Sequence, residues 1–220
     1  MTDTNILIEQ LASRAKPVRP LASPMRRTLV WIAMASAIVA LIAAAIGLRP
    51  DLAAELAAAP ALIEWTASVL TGILAAYAVF QISVPGRSPA WAWLPVPTLL
   101  LWLSGLGWGC LRDLARIGSD AFLFQLGSWH CALAITMTGV PLGLVLLLMV
   151  RHAGVVRPRA TAMLAALSAA ALSAAGVTLI HGHESALMVL VWHLGAVAML
   201  SLLSLLFGRP LFSWIGHARR

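Results

Sequence analysis

Hydrophobic positions along the chain come in long unbroken runs rather than in alternation. Six runs approach or exceed the roughly 20 apolar residues that a membrane-spanning helix needs. They are Thr28–Gly47, Ala61–Phe80, Trp91–Gly109, Trp129–Val150, Ala160–Ile180 and Ala186–Phe207. Backbone groups in hydrocarbon find no water, so each run must satisfy them internally and is predicted to be a helix. The runs are continuous, rich in Ala and Leu, and lack the short alternating segments of membrane strands. The pattern predicts an all-α polytopic membrane protein. Its parts are an amphipathic arm and tether at 1–27, a six-helix transmembrane domain at 28–207 and a basic tail at 208–220.

Composition fits this picture and removes others. Of 220 residues, 61% are hydrophobic and 10% charged, whereas soluble domains carry about 25% charge. An ordinary cytosolic enzyme, a disordered chain and a disulfide-rich secreted mini-protein are excluded. Lys and Arg number 15 against eight acids. The excess is spread over several interhelical segments, which leaves no basic domain for direct nucleic-acid binding. It does set a direction. Twelve of the basic residues lie before the first run, between runs two and three, between four and five, and in the tail. Arg49, Arg112 and Arg116 lie on the other side, with Asp51, Glu55, Asp113, Asp120 and Glu184. The excess of Lys and Arg places both termini in the cytoplasm. The first run is longer than a signal-peptide core and follows 27 residues, so it is read as a retained span.

Individual residues refine the spans. Trp31, Trp91, Trp93 and Trp214 fall near the cytoplasmic interface and Trp65, Trp108 and Trp129 near the outer one, where indoles anchor helices. Trp102 and Trp192 lie deeper, as packing residues. Gly105–Gly109 and Gly139–Gly143 are small-residue pairs suited to close helix packing, within the chain or at a dimer face. Pro141 should free the carbonyl of Met137 and kink its helix. Glu64 is the one acid inside a span, about a turn from its outer end, within reach of the interface. No second intramembrane acid accompanies it, which argues against a proton-coupled transporter.

The two cysteines, Cys110 and Cys131, close span three and open span four on the outer side. They are expected at similar depth on adjacent helices. A disulfide or reversible dithiol, two inert thiols, and a metal site all remain open. His130, His181 and His183 fall on the same face and could join the cysteines around a thiophilic metal, although their spacing is no zinc signature. His193 lies about two turns inside span six, as a structural or functional intramembrane imidazole. His152 and His217 are cytoplasmic. No nucleophile elbow, metalloprotease motif, phosphate loop, dinucleotide fingerprint or C-x-x-C is present. No cofactor is demanded and no enzyme is expected.

The arm has a periodicity of its own. Asp3 or Thr4 can cap a short helix in which Ile6, Leu7 and Leu11 form an apolar side, and Pro17 ends it. A helix of three turns is marginal alone. It would rest on lipid headgroups or dock into a partner groove. The basic run Arg14, Lys16 and Arg19 suits anionic lipid or an acidic partner.

Several local patterns, taken in order, resemble the NrsF family of membrane anti-sigma factors. They are the arm around Asp3–Leu11, Leu48-Arg49-Pro50-Asp51, Val84-Pro85-Gly86-Arg87-Ser88 and Cys110-Leu111-Arg112-Asp113. Trp129-His130-Cys131, Arg157-Pro158-Arg159 and the segment Ser185–Ala196 complete the series. The resemblance implies a six-span inner-membrane protein that sequesters a cognate extracytoplasmic-function sigma factor. It implies release on periplasmic heavy-metal or oxidative stress, with Cys110 and Cys131 as the sensing pair and Ile6, Leu7 and Leu11 as the partner-binding element. Its alternatives are a small-solute or metal transporter, a membrane thiol–disulfide oxidoreductase using the same two cysteines, and a structural subunit.

Overall fold

The computed structural model describes residues 3–14, 20–118, 129–180 and 186–215. Among them the chain forms helices and turns and no strand. The arm is α1 (Asp3–Arg14); α2 is Pro24–Ile46, α3 is Leu52–Ala57 and α4 is Ala59–Ile82. A 3-10 turn at Pro89–Trp93 leads into α5 (Val96–Ile117), followed by α6 (Trp129–Val150) and α7 (Pro158–Ile180). The last crossing combines α8 (Ala186–Val189), a π-helical turn at Leu190–Leu194 and α9 (Gly195–Trp214). Six helical segments are long and apolar enough to cross a membrane: Pro24–Ile46, Ala59–Ile82, Pro89–Ile117, Trp129–Val150, Pro158–Ile180 and Leu187–Trp214.

Proline stands in the first turn of α2, α4, α5 and α7. There its missing N–H has no helical acceptor to lose and its fixed φ suits the helix. At α2 the Ser23 hydroxyl also accepts from the Arg26 N–H at 3.3 Å. The third and sixth spans run beyond the predicted ends, to Ile117 and Trp214. Hydropathy marks where lipid stops, whereas backbone bonding continues through polar helix formers. Arg112–Arg116 therefore extend α5 until Gly118 turns the chain at φ +65°. α6 runs unbroken through Pro141.

Helix α7 is the axis of the bundle and packs against α9, α4, α6 and α2. Its sequence explains this. Ala162, Ala165, Ala169, Ala170, Ala171 and Ala174 are all buried, so neighbours approach on several sides. Ser68 donates to the Ala171 carbonyl at 3.0 Å, Trp65 Nε1 to the Ala175 carbonyl at 3.1 Å, and Ser168 to the Gly72 carbonyl. The glycine pair of α6 packs inside the chain. A Cβ on Gly139 would meet Ala170 at 3.5 Å, and one on Gly143 would meet Ala169 at 3.6 Å. At Gly208 of α9, a Cβ would lie 2.7 Å from the Arg159 Cα and 2.9 Å from the Pro158 carbonyl.

The Lys/Arg-rich segments share one end of the bundle and are fastened together there. Arg27 donates to the Met149 carbonyl at 2.6 Å and lies 4.5 Å from the centre of the Phe80 ring. Arg157 donates to the Arg87 carbonyl at 3.2 Å, and Pro85 packs beside Gly154. Trp31, expected at an interface, is fully buried in the core. It sits one turn from Arg27 on the face that α2 turns toward its neighbours. Trp93 and Trp214 are exposed and Trp102 is buried, as their positions predicted.

Candidate functional site

The opposite end of the bundle is hollow. Helices α4, α5, α6, α7 and the π-helical turn, with the segment after α2, surround a cavity of about 610 Å³. That volume is within the range of small-molecule sites. From α4 come Glu64, Trp65 and Ser68, spaced so that one face of the helix supplies all three. Helix α5 contributes Gly105, Trp108, Gly109, Arg112 and Arg116, again one stripe. A Cβ on Gly105 would stand 3.4 Å from the Glu64 Cβ, so the glycine lets α5 close on α4 beside that carboxylate. Cys131 and His193, both buried, line the same space. The rim carries an ion pair in which Arg49 donates to Asp51 at 2.7 and 2.6 Å, with Glu55 at 3.6 Å. The Asp51 hydrogen bond raises the Arg49 guanidinium above its ordinary pKa, so it stays charged. The Arg49 N–H also donates to the Leu179 carbonyl at 3.0 Å, fixing this segment to α7.

The structure changes the expected relation between the cysteines. α5 packs on α4 and α8, whereas α6 packs on α7, α9 and the π-helical turn. The helices that carry Cys110 and Cys131 are therefore not laid along one another, as the connection between them had suggested. A loop of that length permits adjacency without enforcing it, and the far end of the last crossing packs against both. No disulfide joins Cys110 to Cys131. Cys131 lines the cavity and Cys110 is half-buried in α5. His130 is exposed, its ring 4.5 Å from that of Trp129. His181 and His183 lie outside the described residues, as do His217, Asp120 and Glu184. Among the described residues no three His, Cys, Asp or Glu side chains are grouped to hold a metal ion.

Along the sequence Glu64, His193 and the rim arginines carry no sign of a common site. The cavity brings them together. One signal was present: Glu64, Trp65 and Ser68 at helical spacing break an apolar run with one polar face. The π-helical turn that carries His193 has no comparable mark.

Ile6, Leu7, Ile8 and Leu11 on α1 are 45%, 55%, 58% and 63% exposed. The arm forms its helix as predicted, with its apolar side chains on the surface.

Fold and composition define a multi-pass helical membrane protein with a polar-lined cavity at one end. The family model described as NrsF, negative regulator of sigma F, matches residues 11–214. The chain belongs to that family, a regulatory one whose partner is a sigma factor. No curated protein and no solved structure gives a match.

Proposed function

We propose that this protein is an anti-sigma factor that holds a cognate extracytoplasmic-function sigma factor at the bacterial inner membrane. It lets that factor go when heavy-metal or oxidative stress reaches the periplasm. The observation that carries the reading is α1, whose apolar side chains stand exposed on an amphipathic helix at the arm. Such a helix gains its stability from a groove on a partner. The family match begins at Leu11, so Ile6 and Leu7 precede the matched segment.

In this reading both termini are cytoplasmic, the basic end faces anionic inner-leaflet lipid, and the hollow end faces the periplasm. Cys110 and Cys131 are the input. A two-electron oxidation by a peroxide-class oxidant, or capture of a thiophilic metal ion, would draw α5 toward α6 across the cavity. The strain passes through α7 to the basic end and lowers affinity for the sigma factor. A tenfold loss of affinity requires only about 1.4 kcal/mol of coupling.

The test is co-purification of detergent-solubilised protein with the sigma factors of its host. Full-length protein should retain one sigma factor; deletion of residues 1–27, or Ile6→Asp with Leu11→Asp, should lose it. No sigma factor retained by the full-length chain under either reducing or oxidising conditions would overturn the proposal. Cys110→Ser and Cys131→Ser should each keep sigma binding and abolish the stress response of a reporter. Unchanged induction in both would remove the cysteines from the mechanism.

A further inference from the structure

Three ionic side chains on the cavity wall have no partner among the described residues. Glu64, Arg112 and Arg116 make no hydrogen bond or ion pair with another described residue, although each lines the same 610 Å³ space. They are unlike Arg49, whose charge is neutralised by Asp51 and Glu55 at the rim. An unpaired carboxylate in an apolar crossing is costly, and such groups mark binding or conduction sites.

The three are also sorted by depth. Arg112 and Arg116 lie on the last turns of α5, exposed and four residues apart, so both guanidinium groups project from one side of the helix. Glu64 lies within the apolar length of α4, half-buried, with Trp65 beside it and Trp102 and Trp108 on the facing helix. Two guanidinium groups at a mouth match a carboxylate or phosphate. A carboxylate among indoles matches an ammonium group, which the ring faces also attract. Asp51, Glu55 and Asp113 line the same space, so the mouth carries both signs, and a simple anion would meet repulsion from Glu64 at the base. A molecule that carries both charges satisfies both ends.

We propose that the cavity binds a small zwitterion, with its cationic nitrogen held at Glu64 among the tryptophans and its carboxylate or phosphate held by Arg112 and Arg116. The chemistry is shared by free solutes such as amino acids and betaines and by the headgroup of phosphatidylethanolamine. The site stands independently of the sigma-factor reading, because it is assembled from the crossings alone.

The test uses the full chain in an uncharged maltoside detergent, with intrinsic tryptophan fluorescence and thermal melting as readouts. Glycine, glycine betaine and phosphoethanolamine are titrated as zwitterions, with choline and acetate as the single-charge controls. At least one zwitterion should produce a saturable change and raise the melting temperature. Choline and acetate should bind at least tenfold more weakly. Glu64→Gln, and separately the pair Arg112→Gln and Arg116→Gln, should each weaken zwitterion binding at least tenfold. The arginine pair is on an exposed surface and keeps the fold, so it remains informative if the Glu64 variant unfolds. No saturable response to any zwitterion, binding of choline or acetate equal to the best zwitterion, or full binding by the arginine pair would overturn the proposal. Repeating the titration in vesicles of phosphatidylglycerol, with and without phosphatidylethanolamine, separates the sources. Competition by phosphatidylethanolamine upholds the site as one for a lipid headgroup, and undiminished binding upholds it as one for a free solute.

Discussion

Arg27 is 8% exposed. Its guanidinium donates to a carbonyl that α6 leaves unused at its end and rests against the Phe80 ring. One side chain thus closes α2 against α4 and α6. Arg27→Ala should destabilise the bundle by about 1.5–3 kcal/mol, the range for a hydrogen bond to a charged group. Arg27→Lys should recover only part of that, since the ammonium lacks the flat face that lies on the ring. Thermal melting in detergent would show both effects, and a melting temperature equal to that of the parent protein in Arg27→Ala would refute the assignment. At this scale the sequence was partly legible. Arg27 could be counted toward membrane orientation, because charge and position suffice for that. Its clasp could not be foreseen, because Met149 is 122 residues away and offers only backbone. Trp31 departs from its expected interface for the same reason: an indole at a span end suits an interface or a core, and tertiary neighbours decide.

Among the elements, α7 and the glycines around it determine how tightly the crossings pack. At Gly208 an added methyl group would meet backbone atoms of Arg159 and Pro158 at 2.7–3.1 Å, and backbone cannot rotate aside. At Gly143 the corresponding contacts, 3.6–4.0 Å, are ordinary. Gly208→Ala should therefore cost about 1–3 kcal/mol by overpacking, whereas Gly143→Ala should stay close to the parent protein. The comparison is read from melting temperatures of the two variants in one detergent. Equal values would show that the α7–α9 contact is looser than described. Element existence was well marked in the sequence, since six apolar runs leave the backbone no other choice. Element ends were less so. The extension of α5 to Ile117 depends on hydrogen bonding beyond the lipid limit, and the π-helical turn at Leu190–Leu194, which packs against α6, has no mark in the sequence. For α1, the apolar spacing was enough to predict both the helix and its surface face. Alanine at Ile6, Leu7 and Leu11 should weaken sigma binding at least tenfold while leaving the melting temperature unchanged. A lowered melting temperature would place the arm in the bundle's own packing.

For the whole molecule, the two ends differ in construction. One is fastened by Arg27, Arg157 and the Pro85–Gly154 contact; the other is hollow and ringed with charge. The excess of Lys and Arg at the fastened end predicts that this end faces the cytoplasm. Reporter fusions test this directly. A fluorescent protein at either terminus should fold and fluoresce, and alkaline phosphatase placed after Gly118 should be active. Phosphatase activity at a terminus would reverse the orientation and with it the direction of signalling. The six apolar helices were readable because each depends on local composition. The cavity was not, because its walls come from segments as far apart as Arg49 and His193, and only their packing creates the space between them.

The burial of α7 bears on how the protein is made. Crossings enter the membrane in chain order, and the axis of this bundle is the fifth. Until Pro158–Ile180 has been inserted, the surfaces of α4 and α6 that carry Ser68, Gly72, Gly139 and Gly143 face lipid, which supplies neither their hydrogen-bond acceptors nor their close neighbours. The first four spans therefore form a waiting assembly without its centre. A chain that stalls before residue 158 should be recognised by membrane quality control and degraded, whereas one that has passed residue 180 already has the contacts of α7 with α2, α4 and α6.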